Sequence, residues 1–294
     1  MNNKTLIKVV PFQIPKSDKE FIRFQEDEGA HFYDRLHQHP EIQLTLIRKG
    51  HGQFLSRGYV GRFKQGDVFL LGENVPHVFR SDPEFFEPST KLISHGISIF
   101  FDLAALKTTI QEVEDLKSMI ELHRFAGKSF QIAGGDKYSL SGKINQFKSF
   151  KGLRRMSAGL EILDDIISDK TELVPLGLDE FSAQLSEKDG QRMNLVIQYI
   201  LENQFSPISL DEVANIANLS KEAFCRFFKE RTRMTFTQYL NQLRVMEAKK
   251  LLENPNLGVT QIAFQVGYEN VSYFHRMFKK FTGYTPNKWR RVSS

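Results

Sequence analysis

The chain has one cysteine, Cys225, in 294 residues. That excludes an internal disulfide framework and fits a reducing cytoplasm. It has no apolar run near the ~18 residues that a membrane span requires. Its N-terminal apolar cluster, Leu6 to Val10, is interrupted by Lys8 and lacks the apolar core and small-residue cleavage site of a secretory signal. It also has little net charge in its first 190 residues, −2. The overall +5 therefore comes from the remainder, where 15 Lys/Arg face 8 Asp/Glu for +7. What is left is an ordinary globular mixture, 40% hydrophobic and 26% charged, of about two domains' length. A basic C-terminal third behind a near-neutral front points to a polyanion partner there.

The pattern along the chain predicts an α+β protein. Up to about residue 101, short apolar or alternating runs (Gln43–Arg48, Gly52–Leu55, Val68–Leu71, Ile93–Phe101) are separated by turn signals such as Gln65-Gly66-Asp67 and Glu73-Asn74, as in a β-barrel or sandwich. From 102 to 188 the period becomes helical over Leu103–Leu122, Tyr138–Phe150 and Leu153–Ser168. The last of these carries an apolar stripe (Leu153, Met156, Leu160, Leu163, Ile166, Ile167) that must be covered, either by its own domain or by a second subunit. Pro175–Gly190 has no clear period and reads as a linker. The expected organisation is a barrel over 1–101, a helical connector and dimerisation region over 102–188, and an all-α domain over 189–294.

The all-α region contains an internal repeat. Val213-Ala214 matches Ile262-Ala263 at an offset of 49, and Phe224, Arg226, Phe228 and Lys229 match Phe274, Arg276, Phe278 and Lys279 at 50. Each copy, about 210–231 and 259–281, has helix-turn-helix logic. A short helix starts at Asp211 or Thr260, the turn holds Asn218 or Gly267, and Ser220 or Asn270 caps a second helix. That second helix buries Phe224, Phe227 and Phe228, or Phe274, Met277 and Phe278. Its opposite face shows Lys221, Glu222, Cys225, Arg226 and Lys229, or Val271, Ser272, His275, Arg276 and Lys279. Such a face suits the DNA major groove. Arg226 and Arg276 are candidates for bidentate contact with guanine, while Lys229, Lys279, Lys280 and Arg231 suit phosphates. A helical bundle with a solvated basic face is the alternative, and two matched copies weigh against it. Phe236–Leu252 reads as the helix joining the copies, stopped at Asn254-Pro255. Trp289 reads as core of the final helix.

The stretch Ile262-Ala263-Phe264-Gln265-Val266-Gly267-Tyr268, with Ser272-Tyr273-Phe274-His275-Arg276-Met277-Phe278-Lys279 and the closing Thr285-Pro286, resembles the AraC/XylS family of bacterial regulators. The resemblance covers about Arg192 to Arg291. It implies two helix-turn-helix units on adjacent major grooves, promoter DNA and RNA polymerase as partners, regulation of transcription initiation, and no enzymatic activity. The first copy departs from the pattern at Asn218, Glu222 and Cys225.

In that family a regulatory cupin-type barrel often comes first. His37-Gln38-His39-Pro40-Glu41-Ile42-Gln43, ending at Gly50, is similar to the first cupin motif, and Gly66-Asp67-Val68 with Asn74-Val75-Pro76-His77 to the second. On a strand, Tyr33, Arg35, His37, His39, Glu41 and Gln43 would share one face. Three readings of that face remain: a small-molecule effector pocket using Arg35, His37, His39, Gln43 and His77; a metal site from His37, His39, Glu41 and His77; or hydrogen-bonded core histidines. The first is adopted, with no metal or cofactor, in a homodimer joined through the middle helices. The other classes are a metal-dependent cupin enzyme with a DNA-binding appendage, and a regulator controlled by abundance or a protein partner.

Overall fold

The computed structural model describes residues 20–56, 59–87, 89–106, 111–168, 170–177, 187–232 and 234–293. The chain divides into two compact units, Met1–Glu187 and Lys188–Ser294.

Among the described residues of the N-terminal unit, nine strands form two sheets. These are β1 (Ile22–Gly29), β2 (Ile42–Lys49), β3 (Gly52–Ser56), β4 (Tyr59–Phe63), β5 (Val68–Leu71), β6 (His77–Ser81), β7 (Ser94–Phe101), β8 (Ser129–Ile132) and β9 (Leu173–Leu176). The larger sheet has the order β1-β7-β2-β5-β8-β9, the smaller β4-β3-β6. The barrel expectation is corrected in one respect: the sheets stay open. The physical reason is what covers them. Alternate residues of β2, β5 and β7 (Ile42, Leu44, Leu46, Val68, Leu70, Ile97, Ile99, Phe101) share a core with helices α1 (Asp136–Phe147) and α2 (Gly152–Ile167) through Leu140, Ile144, Phe147, Ile162, Leu163 and Ile166. The intervening residues Ile47, Phe69 and Leu71 share a second core with Phe54, Phe63 and Phe79 of the small sheet. Helices hide one face and a second sheet the other, so closure is not needed to bury the apolar surface.

The stripe on α2 is thus covered by the chain's own sheet, leaving Leu153 89% exposed at the helix start. The described parts of 103–122, which leave out 107–110, are not one α-helix beyond a turn at 111–112. They form 3-10 turns at Leu103–Leu106 and Glu114–Phe125, anchored by Met119, Leu122 and Phe125. The short strands β8 and β9 have no counterpart in the sequence reading. With four residues each, they are too short to show a period, and they exist by pairing with β5 and with each other.

The C-terminal unit is helical: α3 (Glu187–Asn203), α4 (Leu210–Ile216), α5 (Lys221–Thr232), α6 (Phe236–Leu252), α7 (Val259–Gln265), α8 (Val271–Thr282) and α9 (Pro286–Ser293). The first helix of each repeat starts one residue earlier than its sequence signal. Ser209, in a reciprocal capping box with Glu212, and not Asp211, caps α4; Gly258 precedes α7. The rod α6 keeps its expected bounds, with Thr235 and Gln238 forming the box at its start. Among the described residues no helix is long and apolar enough to cross a membrane.

Candidate effector cavity and DNA-reading helices

The inner face of the large sheet is polar at one end. Register places Gln25 opposite Ser98 on β7, and Gln43 and Thr45 on β2 opposite Phe100 and Ser98. Here the alternation of β2 brings an amide and a hydroxyl, not two more aliphatics, into the space between the sheets. Gln43 Nε2 donates to Thr45 Oγ1 (2.7 Å) and Ser98 Oγ (3.2 Å), and the two hydroxyls are 2.8 Å apart. This network floors a cavity of about 530 Å³, a size suited to a small organic molecule. Phe32, Tyr33, Phe79 and Phe100 supply its aromatic walls, and Gln25 and Asp27 its edge.

His37 and His77 complete the lining. Their backbones pair reciprocally, His37 N to His77 O at 3.1 Å and His77 N to His37 O at 2.8 Å, which brings the rings together, tilted by 56° with centroids 4.3 Å apart. Burial pushes the His37 pKa down to about 4; burial and the neighbouring histidines push that of His77 well below its usual value. Both rings are therefore neutral near pH 7. Each places Nδ1 2.8 Å from a carbonyl, of Arg35 and Val75 respectively. A carbonyl only accepts, so the single ring proton sits on Nδ1 and Nε2 keeps its lone pair. His77 Nε2 is buried without a hydrogen-bond partner among the described residues. Nε2 is thus a ready acceptor for a ligand hydroxyl or amide.

His39 stands behind this lining, 4% exposed, with Nε2 2.9 Å from Gln43 Oε1 and its ring against Phe100. Arg35 is a correction. Its carbonyl orients His37, but its side chain is not among the lining groups. The reason is that residues 30–41 do not form the expected strand. They run irregularly with a single bridge at His37, and Pro40, which cannot donate to a ladder, stands just before β2. Thr45 and Ser98 were missed by sequence reading, although Gln43 and Thr45 at alternate positions of an otherwise apolar run were a usable sign. Ligand atoms of His37, His39 and His77 lie within 4.8 Å of one another, so these three side chains could hold a metal ion after modest approach.

In the second unit, α5 exposes Glu222, Cys225, Arg226 and Lys229 on one side, while Phe224 and Phe228 are fully buried on the other. Cys225 lies on the exposed side, the face its place in the repeat gives it. Lys221 is also exposed but pairs with Asp211 of α4 at 2.8 Å. On α8, Ser272, Arg276, Lys279 and Lys280 are exposed, and Phe274 and Phe278 are buried. The Arg276 guanidinium lies over the Tyr273 ring, 5.1 Å from its centroid. Val271 is half-buried against the core of this repeat, and His275 is half-buried edge-on to Phe274. Those two offer less surface to a groove than their sequence positions suggest. Both recognition helices begin as expected. Ser220 Oγ accepts from Ala223 N at 3.2 Å, and Asn270 Oδ1 from Tyr273 N at 2.8 Å.

Comparison with known proteins is consistent along both units. Residues 213–292 match a helix-turn-helix domain family, and residues 20–91 an AraC-like ligand binding domain family. The uncharacterized HTH-type transcriptional regulator YdeC of Bacillus subtilis is 23% identical over 272 residues, 91% of this chain and 90% of its own. The HTH-type transcriptional activator RhaR of Escherichia coli K12 is 37% identical over 89 residues, 30% of this chain, and the match spans only 32% of RhaR. Among solved structures, ToxT of Vibrio cholerae aligns over 94% of this chain and 100% of its own at 12% identity, with a TM-score of 0.35. With an AraC-like ligand-binding domain ahead of a DNA-binding helix-turn-helix domain, the chain is a transcription regulator of the AraC family.

Proposed function

We propose that the chain is a cytoplasmic homodimer that binds promoter DNA through α5 and α8 of the domain 189–294, engages RNA polymerase there, and is controlled by a small organic molecule in the β-sheet cavity rather than catalysing a reaction. The observation that carries the DNA reading is the pair of matched helices, each with a buried phenylalanine face and an exposed basic face, in the unit that holds all the excess positive charge. Arg226 and Arg276 occupy equivalent exposed positions on them and suit guanine O6 and N7. Lys229 and Lys279, one turn further along, suit phosphates; Lys221, Glu222, Val271, Ser272 and His275 flank them.

Binding to promoter DNA across salt concentrations tests this reading. A specific site should bind ~10³-fold or more tighter than random duplex, and equal affinities would refute sequence-specific regulation. Arg276→Ala is expected to cost about 1–3 kcal/mol and to relax preference at one base position. A uniform loss across all sequences would make Arg276 a phosphate contact instead.

The unpartnered Nε2 of His77 favours one second reading, in which a metal ion bound by His37, His39 and His77 occupies the cavity floor. Metal analysis of the purified protein separates the two. Stoichiometric Fe, Mn or Zn lost in His77→Ala supports the metal; none in either protein removes it.

A further inference from the structure

Reading DNA with two helices requires that their separation match the duplex, and α6, about 25 Å long at its 17 residues, is the obvious spacer. A second connection lies beside it. The segment Gln204–Ser206, between α3 and α4, leads directly into the first helix-turn-helix unit. Arg244, midway along α6, grips it from one side: Nε donates to Gln204 O at 2.7 Å and Nη2 to Ser206 O at 2.8 Å. The same guanidinium lies over the ring of Tyr268, 5.6 Å from its centroid, in the turn of the second unit.

That turn meets the segment from the other side. Gly267 has φ +88°, and a Cβ there would stand 2.8 Å from the Phe205 carbonyl oxygen and 2.9 Å from its carbon. Backbone therefore rests on backbone, which only glycine permits. The equivalent turn residue, Asn218, has φ 53° and is exposed, so a side chain is tolerated. This accounts for the difference between the two turns. Asn241, one turn before Arg244, extends the contact to α8 by donating to Tyr273 Oη at 3.2 Å. The second unit is thus held at two places, by α6 itself and by the 204–206 segment of the first.

We propose that Arg244 is a positioning residue that sets the spacing between α5 and α8, and hence the operator spacing the protein accepts. The inference rests on the reading that both helices contact DNA. Its chemistry is that of a planar fork: two donors of fixed geometry hold two carbonyls of one bend while the flat face lies against Tyr268. Lysine keeps the charge but cannot reproduce that geometry.

The test uses the full chain. A duplex is selected from a random library by wild-type protein. One or two base pairs are then inserted between, or removed from between, its two recognition elements. Each base pair rotates the elements by about 35° and shifts them ~3.4 Å. Affinities of wild type, Arg244→Ala and Arg244→Lys are measured across the series, with Trp289 fluorescence reporting folding. Wild type is expected to lose about tenfold or more per change in spacing, and both variants less than about threefold. If Arg244→Ala does not fold, Arg244→Lys, which keeps the stem and charge, carries the comparison. Variants that bind more weakly at every spacing with the wild-type profile would overturn the positioning role and leave the two-helix reading intact. A wild-type profile indifferent to spacing would overturn the two-helix reading, and the inference with it.

Discussion

Phe278→Ala should destabilise the C-terminal unit by about 3–5 kcal/mol, the usual cost of emptying a phenylalanine site in a close-packed core. Phe278 is fully buried, with ring centroids 5.6 Å from Phe274 and 6.3 Å from Trp289. The same cluster takes in Val245, Ala248 and Leu252 of α6 and Ile262 and Ala263 of α7. The cavity left behind would border three helices at once, and their collapse onto it is resisted by the α6 rod. Trp289 is the only tryptophan in the chain, so its fluorescence follows this unit alone. A loss of this size lowers the midpoint of a domain of about 100 residues by roughly 15–30 °C. The separate core of the N-terminal unit, built on β2, β7 and α2, should keep its own transition. A midpoint shift below about 5 °C would mean that the α8 core tolerates the void.

The second large effect is one of pH. His37 is held at about 4 in the folded chain, against about 6.5 for an unfolded histidine. Above about pH 6.5 the group is neutral in both states and contributes no pH dependence. As pH falls from 6.5 towards 4, the unfolded chain takes up a proton that the folded chain refuses, so stability is lost; below about 4 both states are protonated and the loss levels off. A difference of about 2.5 pKa corresponds to about 3 kcal/mol over that window. His77, shifted in the same direction by burial, steepens the fall. Hydrogen exchange of β2 and β7, corrected for the intrinsic rate, measures it at each pH. His37→Asn keeps a donor for the Arg35 carbonyl but cannot titrate, so it should flatten the profile. An unchanged slope in that variant would assign the acid loss to other groups.

How far the sequence reached depended on the range of the interaction. The bounds of α6 are legible because Thr235 and Gln238 cap one end and Asn254-Pro255 stops the other. The caps Ser220 and Asn270 are legible because each bonds an N–H three residues on. Asp211 as a cap fails for a related reason: Ser209 makes the stronger reciprocal box with Glu212 and takes the position first. The helical period over Leu103–Leu122 misleads from Glu114 on because burial of Met119, Leu122 and Phe125 is satisfied equally by 3-10 turns packed on the sheet. In the cavity, His37, Gln43 and His77 are visible as a motif, but Ser98 enters only through strand register, 55 residues from its partner Gln43.

The sequence by itself determined that this chain ends in two helix-turn-helix units behind a β-rich front, because caps, turns and apolar periods act within a few residues. Only the tertiary structure decided that the sheets stay open, that Thr45 and Ser98 line the cavity and Arg35 does not, and that Arg244 joins the two helix-turn-helix units through the 204–206 bend. Those features depend on residues distant in sequence, 38 and 40 positions for Arg244 and its two carbonyls, 53 and 55 for Ser98 and its partners on β2. Pairing register and core packing bring such residues together, and no local pattern encodes where a distant strand or helix will stand.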